Sequence, residues 1–246
     1  MAWYPSSQGT VCKTVLHGCK SHPRLMRQKV HQLNDNFLDS WNATMAYVLG
    51  FWFADGYMRH EKSYRIAFSS NDYDLIVAIR SALNSDHPLR QTRSKKSRKD
   101  TYSFVVFSKR MFFRLSTIGG QRRKSRKMIF PTIPNKFLAD FIRGYFDGDG
   151  SVFYTTYLHS KIHRMRTELR SNFTSGSPMF LEELNSVLMK QIGLGNKKIC
   201  PFNEGGSWKF GYGTGETKKL LNFMYYPGYP IGLKRKAAFL EKVVDN

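Results

Sequence analysis

Residues 135–150, NKFLADFIRGYFDGDG, predict a helix that ends in an acidic turn. The apolar positions recur at helical spacing: Phe137, Phe141, Ile142 and Tyr145. Gly144 and Gly148 stand four positions apart and form a small-residue strip, which lets a second backbone approach closely. Asp147 and Asp149 meet the negative end of the helix macrodipole, where a carboxylate is locally unfavourable. For a single segment, a solvated Asp-Gly turn after a buried helix is the ordinary interpretation.

The same pattern occurs earlier, in residues 44–56, TMAYVLGFWFADG. Its small residues again recur four positions apart, at Ala46, Gly50 and Ala54. Two such helices predict a parallel pair in contact through Gly50 and Gly144. Parallel packing brings Asp55 close to Asp149. Two close carboxylates repel each other unless a proton or a cation lies between them, and oxygen ligands with positions left for phosphate and water suit Mg²⁺.

The charge balance of the chain indicates a polyanionic partner. Its 246 residues contain 39 Lys and Arg against 18 Asp and Glu, a net charge of +21, which favours nucleic acid over a membrane surface. No apolar run approaches the length of a transmembrane helix, and the N-terminus lacks the apolar segment of a signal peptide. The cysteines Cys12, Cys19 and Cys200 do not make a disulfide framework. We therefore expect an intracellular protein, in the cytoplasm, the nucleoid or an organelle, that is not secreted.

The chain divides into a basic N-terminal extension, residues 1–36, and two similar halves, residues 37–128 and 129–246. The extension contains Cys12, His17, Cys19 and His22. Their spacing is too compressed for a familiar zinc finger, so a partly flexible basic segment is favoured over a zinc site. Each half is predicted to run helix, two strands, helix, two strands, helix. Hairpin-linked antiparallel strands with helices on one side make an α+β fold.

Open polar faces of the predicted sheets suit a groove of DNA. Alternation places Arg65 on such a face in the first half, and Arg170 and Asn172 on one in the second. Residues 90–127 hold fourteen Lys or Arg and a single acid, and phosphate contact is favoured there over a solvated charge run. The hairpin residues predicted to bind DNA are Arg93, Lys95, Lys96, Arg98, Lys99 and Lys209.

Two nonapeptides carry a family resemblance. VLGFWFADG and IRGYFDGDG resemble the two copies of the signature helix of the LAGLIDADG homing endonucleases, and each opens the same order of elements in a strongly basic chain. The resemblance covers residues 37–246. It implies a single-chain, two-motif member of the family, which is a monomer with no obligate protein partner. It also implies two pseudo-symmetric αββαββα halves whose saddle-shaped antiparallel sheets lie on double-stranded DNA.

The resemblance further implies the residues that hold metal. The last acid of each motif binds divalent metal in this family, which assigns Asp55 and Asp149. The backbone carbonyls just before them, at Ala54 and Gly148, are expected to help. Mg²⁺ is the implied cofactor, with Mn²⁺ as a substitute and Ca²⁺ as an ion that binds without supporting cleavage. Asp147 stands where the first motif has an apolar residue, so it is interpreted as a structural or helix-end residue.

The family also places a lysine near each active site, at the start of the last helix of each half. The matching stretches are RRKSRKMIF and GLKRKAAFL. They suggest Lys124 and Lys234 as the catalytic lysines. Lys127 and Lys236 are the alternatives, and an ordinary phosphate-binding role is the other interpretation of each.

The implied activity is the metal-dependent hydrolysis of one phosphodiester on each DNA strand across the minor groove of a long target site. Twenty-four positions separate Asp149 from Phe173, against thirteen from Asp55 to Phe68, so the two half-sites are expected to be read unequally. The alternatives are an intron RNA maturase and a cleavage-deficient DNA-binding protein on the same scaffold. An intein nuclease domain is disfavoured because the chain lacks the His-Asn pair and the flanking splicing segments.

Overall fold

The computed structural model describes residues 31–93, 99–160, 163–202 and 206–244, which belong to one compact unit of the chain. The zinc hypothesis for the N-terminal extension, with Cys12, His17, Cys19 and His22, therefore lies outside the described residues. In the described ranges the chain forms two four-stranded antiparallel sheets and seven α-helices. None of these helices has both the length and the apolar character needed to cross a membrane.

The first half has one helix before its sheet and two that pack around it. Its elements are α1 Ala43–Asp55, β1 Tyr57–His60, β2 Tyr64–Ser70, α2 Tyr73–Ala82, β3 Arg90–Arg93, β4 Asp100–Phe107 and α3 Lys109–Ile118. The strands lie in the order β1-β2-β4-β3. The start of α1 is capped by Asn42, whose side-chain oxygen accepts from the Met45 amide at 2.9 Å. A short 3₁₀ turn, Lys124–Arg126, follows α3 on the way to the second half.

The second half repeats this order and adds a helix. Its elements are α4 Leu138–Asp149, β5 Gly150–His159, β6 Arg164–Ser175, α5 Pro178–Ile192, β7 Cys200–Phe202, β8 Ser207–Tyr212, α6 Thr214–Met224 and α7 Lys234–Val244. The strands lie in the order β5-β6-β8-β7, which is the order of the first sheet. The predicted α+β class with two pseudo-symmetric halves is confirmed. The hairpin of β5 and β6 is longer than its counterpart, ten and twelve residues against four and seven.

Helices α1 and α4 pack with their backbones in contact. A Cβ atom added to Gly50 would lie 2.0 Å from the carbonyl oxygen of Phe141, and one added to Gly144 would lie 2.0 Å from that of Tyr47. Farther along both helices, a Cβ on Gly148 would lie 2.3 Å from the Cβ of Ala54. The contacts advance in the same direction on both chains, so the helices run parallel and end side by side.

Each sheet has one covered and one open face because side chains alternate along a strand. The covered faces carry the aromatic and aliphatic core, which includes Ile66, Phe68, Phe104, Leu169, Phe173 and Phe210. Arg65 is exposed between Ile66 and Tyr64 on β2, and Arg170 is exposed between Leu169 and Ser171 on β6. The predicted assignment of faces for these two strands agrees with the burial pattern.

Candidate active site and nucleic-acid interface

The parallel ends of α1 and α4 bring the two terminal carboxylates together. A Cβ atom added to Gly148 would lie 3.2 Å from Oδ2 of Asp55, so the Asp55 carboxylate lies against the last turn of the helix that carries Asp149. Asp55 is exposed and Asp149 is half-buried. The glycine is therefore required at this point, because any side chain there would fill the space between the helix ends.

The electrostatics of the site show that the two acids interact. Burial, and then the charge of Asp55, raise the pKa of Asp149 to about 7, against the opposing effect of Lys124 and Lys236. The protein atoms around Asp55 partly desolvate its carboxylate, although the residue is accessible at the surface, and this also raises its pKa; the same two lysines partly oppose that shift. A pair of carboxylates with raised pKa values either shares a proton or takes up a cation as the pH approaches neutrality.

Lys124 lies beneath the end of α1. It belongs to the 3₁₀ turn Lys124–Arg126, and its buried ammonium donates to the carbonyl oxygens of Phe53 at 2.6 Å and Ala54 at 2.8 Å. The Trp52 ring lies 5.4 Å from the same nitrogen. Burial lowers the pKa of Lys124 to about 8, and the charges of the two acids partly oppose this shift. The ammonium is thus fixed next to the carboxylate pair.

Lys236, and not Lys234, occupies the corresponding place beneath the end of α4. Its buried ammonium donates to the carbonyl oxygens of Phe146, of Asp147 at 3.1 Å and of Gly150 at 2.7 Å. Burial lowers its pKa to about 8, chiefly against the opposing charge of Asp147.

In the second half, the structure places the alternative, Lys236, and not the first choice, Lys234, next to the helix end. Helix α7 begins at Lys234, and each helical residue turns about 100° from the one before, so the first residue points to solvent and the third points inward. In the first half, Lys127 is exposed and Lys124 is buried. The roles of these residues in chemistry stay predictions.

The donor atoms of the site fit a hard divalent cation. Within the described ranges, no group of three or more His, Cys, Asp and Glu side chains that could hold a metal ion comes together. The candidate carboxylate donors at the helix ends are Asp55 and Asp149. The carbonyl of Ala54 already accepts from Lys124 and keeps a second lone pair. All of these donors are oxygen atoms, and a set this small leaves positions for phosphate oxygens and water, as Mg²⁺ prefers.

Asp147 faces away from the acid pair and is enclosed in hydrogen bonds. Its side chain is buried, and it accepts from the Tyr47 hydroxyl at 2.7 Å, the Tyr225 hydroxyl at 2.5 Å and the Leu233 amide at 2.8 Å. These partners lie on α1, directly after α6 and directly before α7. Local sequence patterns contain no signal for these partners, since the nearest of them is 78 positions away in the chain.

The open face of the second sheet carries a shallow polar cleft. Its lining includes Phe153, Arg170, Asn172, Lys198, Cys200 and Lys209. Arg170 forms an ion pair with Glu168 at 3.0 Å, and Lys209 lies 4.2 Å from the centre of the Phe202 ring. Three of the residues predicted to bind DNA therefore share one surface: Arg170, Asn172 and Lys209.

The residues of the first sheet that are predicted to bind DNA lie on both of its faces. Arg93 pairs with Asp100 on β4, and alternation puts it on the same face as Tyr102, whose ring contacts Tyr73 of α2. Arg93 is exposed but belongs to the helix side of the sheet. Arg90, which the sequence analysis did not single out, belongs to the open face with Arg65. Lys99 is exposed, and Lys95, Lys96 and Arg98 lie outside the described residues.

Comparisons with known proteins identify the fold. No family model matches the sequence, and no curated protein matches it. The structure is similar to the homing endonuclease I-WcaI bound to its DNA recognition sequence, with 14% identity, a TM-score of 0.57, and coverage of 83% of this chain and 90% of that one. The I-LtrWI LAGLIDADG homing endonuclease bound to target DNA is similar at 14% identity and a TM-score of 0.54, over 86% and 89%.

A third similar structure was obtained in the presence of a metal ion. It is I-SmaMI bound to an uncleaved DNA target in the presence of calcium ions, with 12% identity, a TM-score of 0.55, and coverage of 84% of this chain and 90% of that one. At these identities the likeness establishes the architecture. The predicted resemblance to the LAGLIDADG homing endonucleases is confirmed at the level of the fold.

Proposed function

We propose that this protein is a site-specific endonuclease that cuts both strands of double-stranded DNA. The observation that carries the proposal is the arrangement at the helix ends, where Asp55 and Asp149 converge above two buried lysines, Lys124 and Lys236. Both sites belong to one chain, so we propose that it acts as a monomer. The DNA-bound state of structures with the same fold supports DNA as the partner.

In this proposal each residue of the site has a defined task. Asp55 and Asp149 would hold Mg²⁺ together with the carbonyl oxygens of Ala54 and Gly148, and the bound ion would activate water and stabilise the leaving 3′-oxygen. Lys124 and Lys236 keep their ammonium groups fixed in a partly desolvated site. A fixed positive charge there stabilises the negative charge that develops on the phosphorus centre without reorganisation during the reaction.

The open sheet faces would read the DNA. Arg65 and Arg90 in the first sheet, and Arg170 and Lys209 in the second, supply donors suited to guanine edges and to phosphates. The high positive charge of the chain makes affinity fall steeply with salt, because each phosphate contact releases counterions. The longer hairpin of β5 and β6 would contact more of its half-site than β1 and β2 contact of theirs.

A cleavage selection on a randomised duplex library tests the proposal. The protein is incubated with the library in Mg²⁺, the cut ends are sequenced, and the recovered site is placed in a supercoiled plasmid. The expected result is conversion of that plasmid to the linear form by the natural chain, with no product from Asp55→Asn. Preferential binding of structured RNA, with no DNA cut in Mg²⁺ or Mn²⁺, would replace this proposal by the RNA maturase. Tight duplex binding without cleavage would leave a DNA-binding protein.

A further inference from the structure

We propose that Asp147 is a positioning residue of the second active site, and that its carboxylate holds the start of α7 so that Lys236 reaches the end of α4. The inference rests on the proposed DNA cleavage. It adds that the two strands are cut by sites that can be disabled separately, because the first site has no corresponding carboxylate.

The contacts of Asp147 form a closed ring with Lys236. The carboxylate accepts from the Leu233 amide at 2.8 Å, and the Leu233 carbonyl accepts from the backbone amide of Lys236 at 2.9 Å. The Lys236 ammonium then donates back to the Asp147 carbonyl at 3.1 Å. A change at the carboxylate therefore moves Leu233 and the first turn of α7, and the ammonium moves with that turn.

Two tyrosines fix the carboxylate itself. The Tyr47 hydroxyl donates to the same oxygen atom that Leu233 uses, and the Tyr225 hydroxyl donates to the other oxygen. Together with the Leu233 amide, three donors from separate parts of the chain therefore hold one side chain. Asp147 is thereby held against both α1 and the end of α6. Its carboxylate is fixed in the position in which it accepts from Leu233.

Among the residues that the structure describes, no carboxylate takes part in positioning the turn of the first active site that carries Lys124. Phe53 takes the place of Asp147, and its ring contacts Phe141 and Phe180. The turn that carries Lys124 is fixed from the other side, where a Cβ atom on Gly176 would lie 2.3 Å from the carbonyl oxygen of Ser125. Loss of the Asp147 carboxylate therefore leaves the supports of Lys124 in place.

Strand-specific cleavage by Asp147→Ala tests the proposal. Each strand of the selected target is labelled at its end, and the two cutting rates are measured separately. We expect the strand served by Lys236 to be cut at least about tenfold more slowly relative to the other strand, since small misplacements of a catalytic group have effects of this size or larger. Asp147→Asn keeps an oxygen that can accept from Leu233, so it should restore most of the lost rate.

Tyr212→Phe is the matched control. Like Asp147→Ala, it removes a buried polar group from the second half: the Tyr212 hydroxyl donates to Asn185 at 3.3 Å, away from both lysines. Its two cutting rates should keep the ratio of the natural chain. Equal slowing of both strands in Asp147→Ala, or unchanged rates, would contradict the proposal.

A second measurement is independent of activity. Brief acetylation of the folded protein, read out by mass spectrometry, should label Lys236 faster in Asp147→Ala than in the natural chain, while Lys124 stays protected. If Lys236 remains protected, the positioning role is wrong even if the natural chain cuts DNA. If both lysines are labelled, Asp147→Ala has unfolded. In that case Tyr225→Phe, which removes one of the hydrogen bonds to the carboxylate, is tested by the ratio of Lys236 labelling to Lys124 labelling. If the natural chain cuts no DNA, the proposed function fails while the labelling still tests the contact.

Discussion

The two signature helices share one backbone arrangement but complete it with opposite chemistry. Positions 94 residues apart correspond, so Ala46, Leu49 and Phe53 of α1 are matched by Asp140, Arg143 and Asp147 of α4. All six side chains are buried. The first three pack against apolar neighbours, and the other three form ion pairs and hydrogen bonds. The same backbone arrangement is thus compatible with either apolar or polar buried side chains, provided that the polar ones are paired.

Arg143 shows how the polar version is completed. Its guanidinium is fully buried and donates to Asp140 at 2.7 Å and to the carbonyl oxygens of Met224 and Ile231, both at 2.8 Å. The Tyr229 ring lies 4.9 Å from the same group. A buried charge is tolerated only with partners of this kind. The polar interior lies where the segment between α6 and α7 crosses α4.

The largest expected effect comes from the acids that the two helices have in common. Asp55→Asn and Asp149→Asn should each reduce double-strand cleavage by more than about 100-fold, because the variant loses an anionic ligand for the proposed cation. Binding to the target should be kept, since removal of one acid also removes repulsion from the phosphates. Rates are measured on the selected site and binding by filter retention in Ca²⁺. A variant that cuts at the natural rate would remove its residue from the site.

The next largest effect is expected when the buried ion pair of α4 is broken. Arg143→Leu reproduces the leucine of the first half but leaves the buried Asp140 without its cation, with the Tyr226 hydroxyl still donating to it at 2.8 Å, and should lower the free energy of unfolding by about 3–5 kcal/mol. The double variant Asp140→Ala, Arg143→Leu reproduces the apolar pair of α1 and should recover a large part of that loss. Urea denaturation of both variants measures the difference. Additive losses in the double variant would mean that the two side chains do not depend on each other.

The glycines should respond alike in the two helices. A methyl group at Gly50 or Gly144 would lie 2.0 Å from a carbonyl oxygen of the other helix, so Gly50→Ala and Gly144→Ala should each destabilise the protein by about 1–3 kcal/mol through overpacking. Gly215→Ala in α6 is the control, because the space around that glycine is open and alanine favours helix. Its unfolding midpoint should stay the same or rise. Unequal losses at the first two positions would show that the pair is less symmetric than its backbone.

The smallest expected effect is the pH dependence of Mg²⁺ affinity, which should depend on Asp149. The pKa of Asp149 is raised from 3.8 to about 7, so its protonated form stabilises the metal-free fold at low pH, and this stability is lost as the pH rises through about 7. Cation binding must displace that proton, so Mg²⁺ affinity should rise by up to about tenfold per pH unit below this pKa and level off above it. Calorimetric titration on either side of the pKa measures the slope. Asp149→Asn should flatten it, and an unchanged slope would assign the proton to another group.

Much of the fold follows from sequence patterns. The helical spacing of aromatic residues, the two acidic motifs and the alternation in β2 and β6 are local features, and each predicts its element correctly. Gly50 and Gly144 also lie where their spacing suggests, at the closest approach of the two helices. The elements could be predicted because each depends on residues within a few positions of one another, and the helix contact could be predicted because the same motif occurs twice.

The sequence by itself determined the repeated helix, the position of the two acids at its ends, and a basic surface suited to nucleic acid. Only the tertiary structure decided which lysine of the last helix is buried, because the start of α7 is set by a hydrogen bond between Leu233 and Asp147, 86 positions apart. It also decided that Arg93 lies on the helix side of its sheet. The burial of a side chain and its hydrogen-bond partners depend on residues distant in the chain, so a local sequence pattern does not predict them.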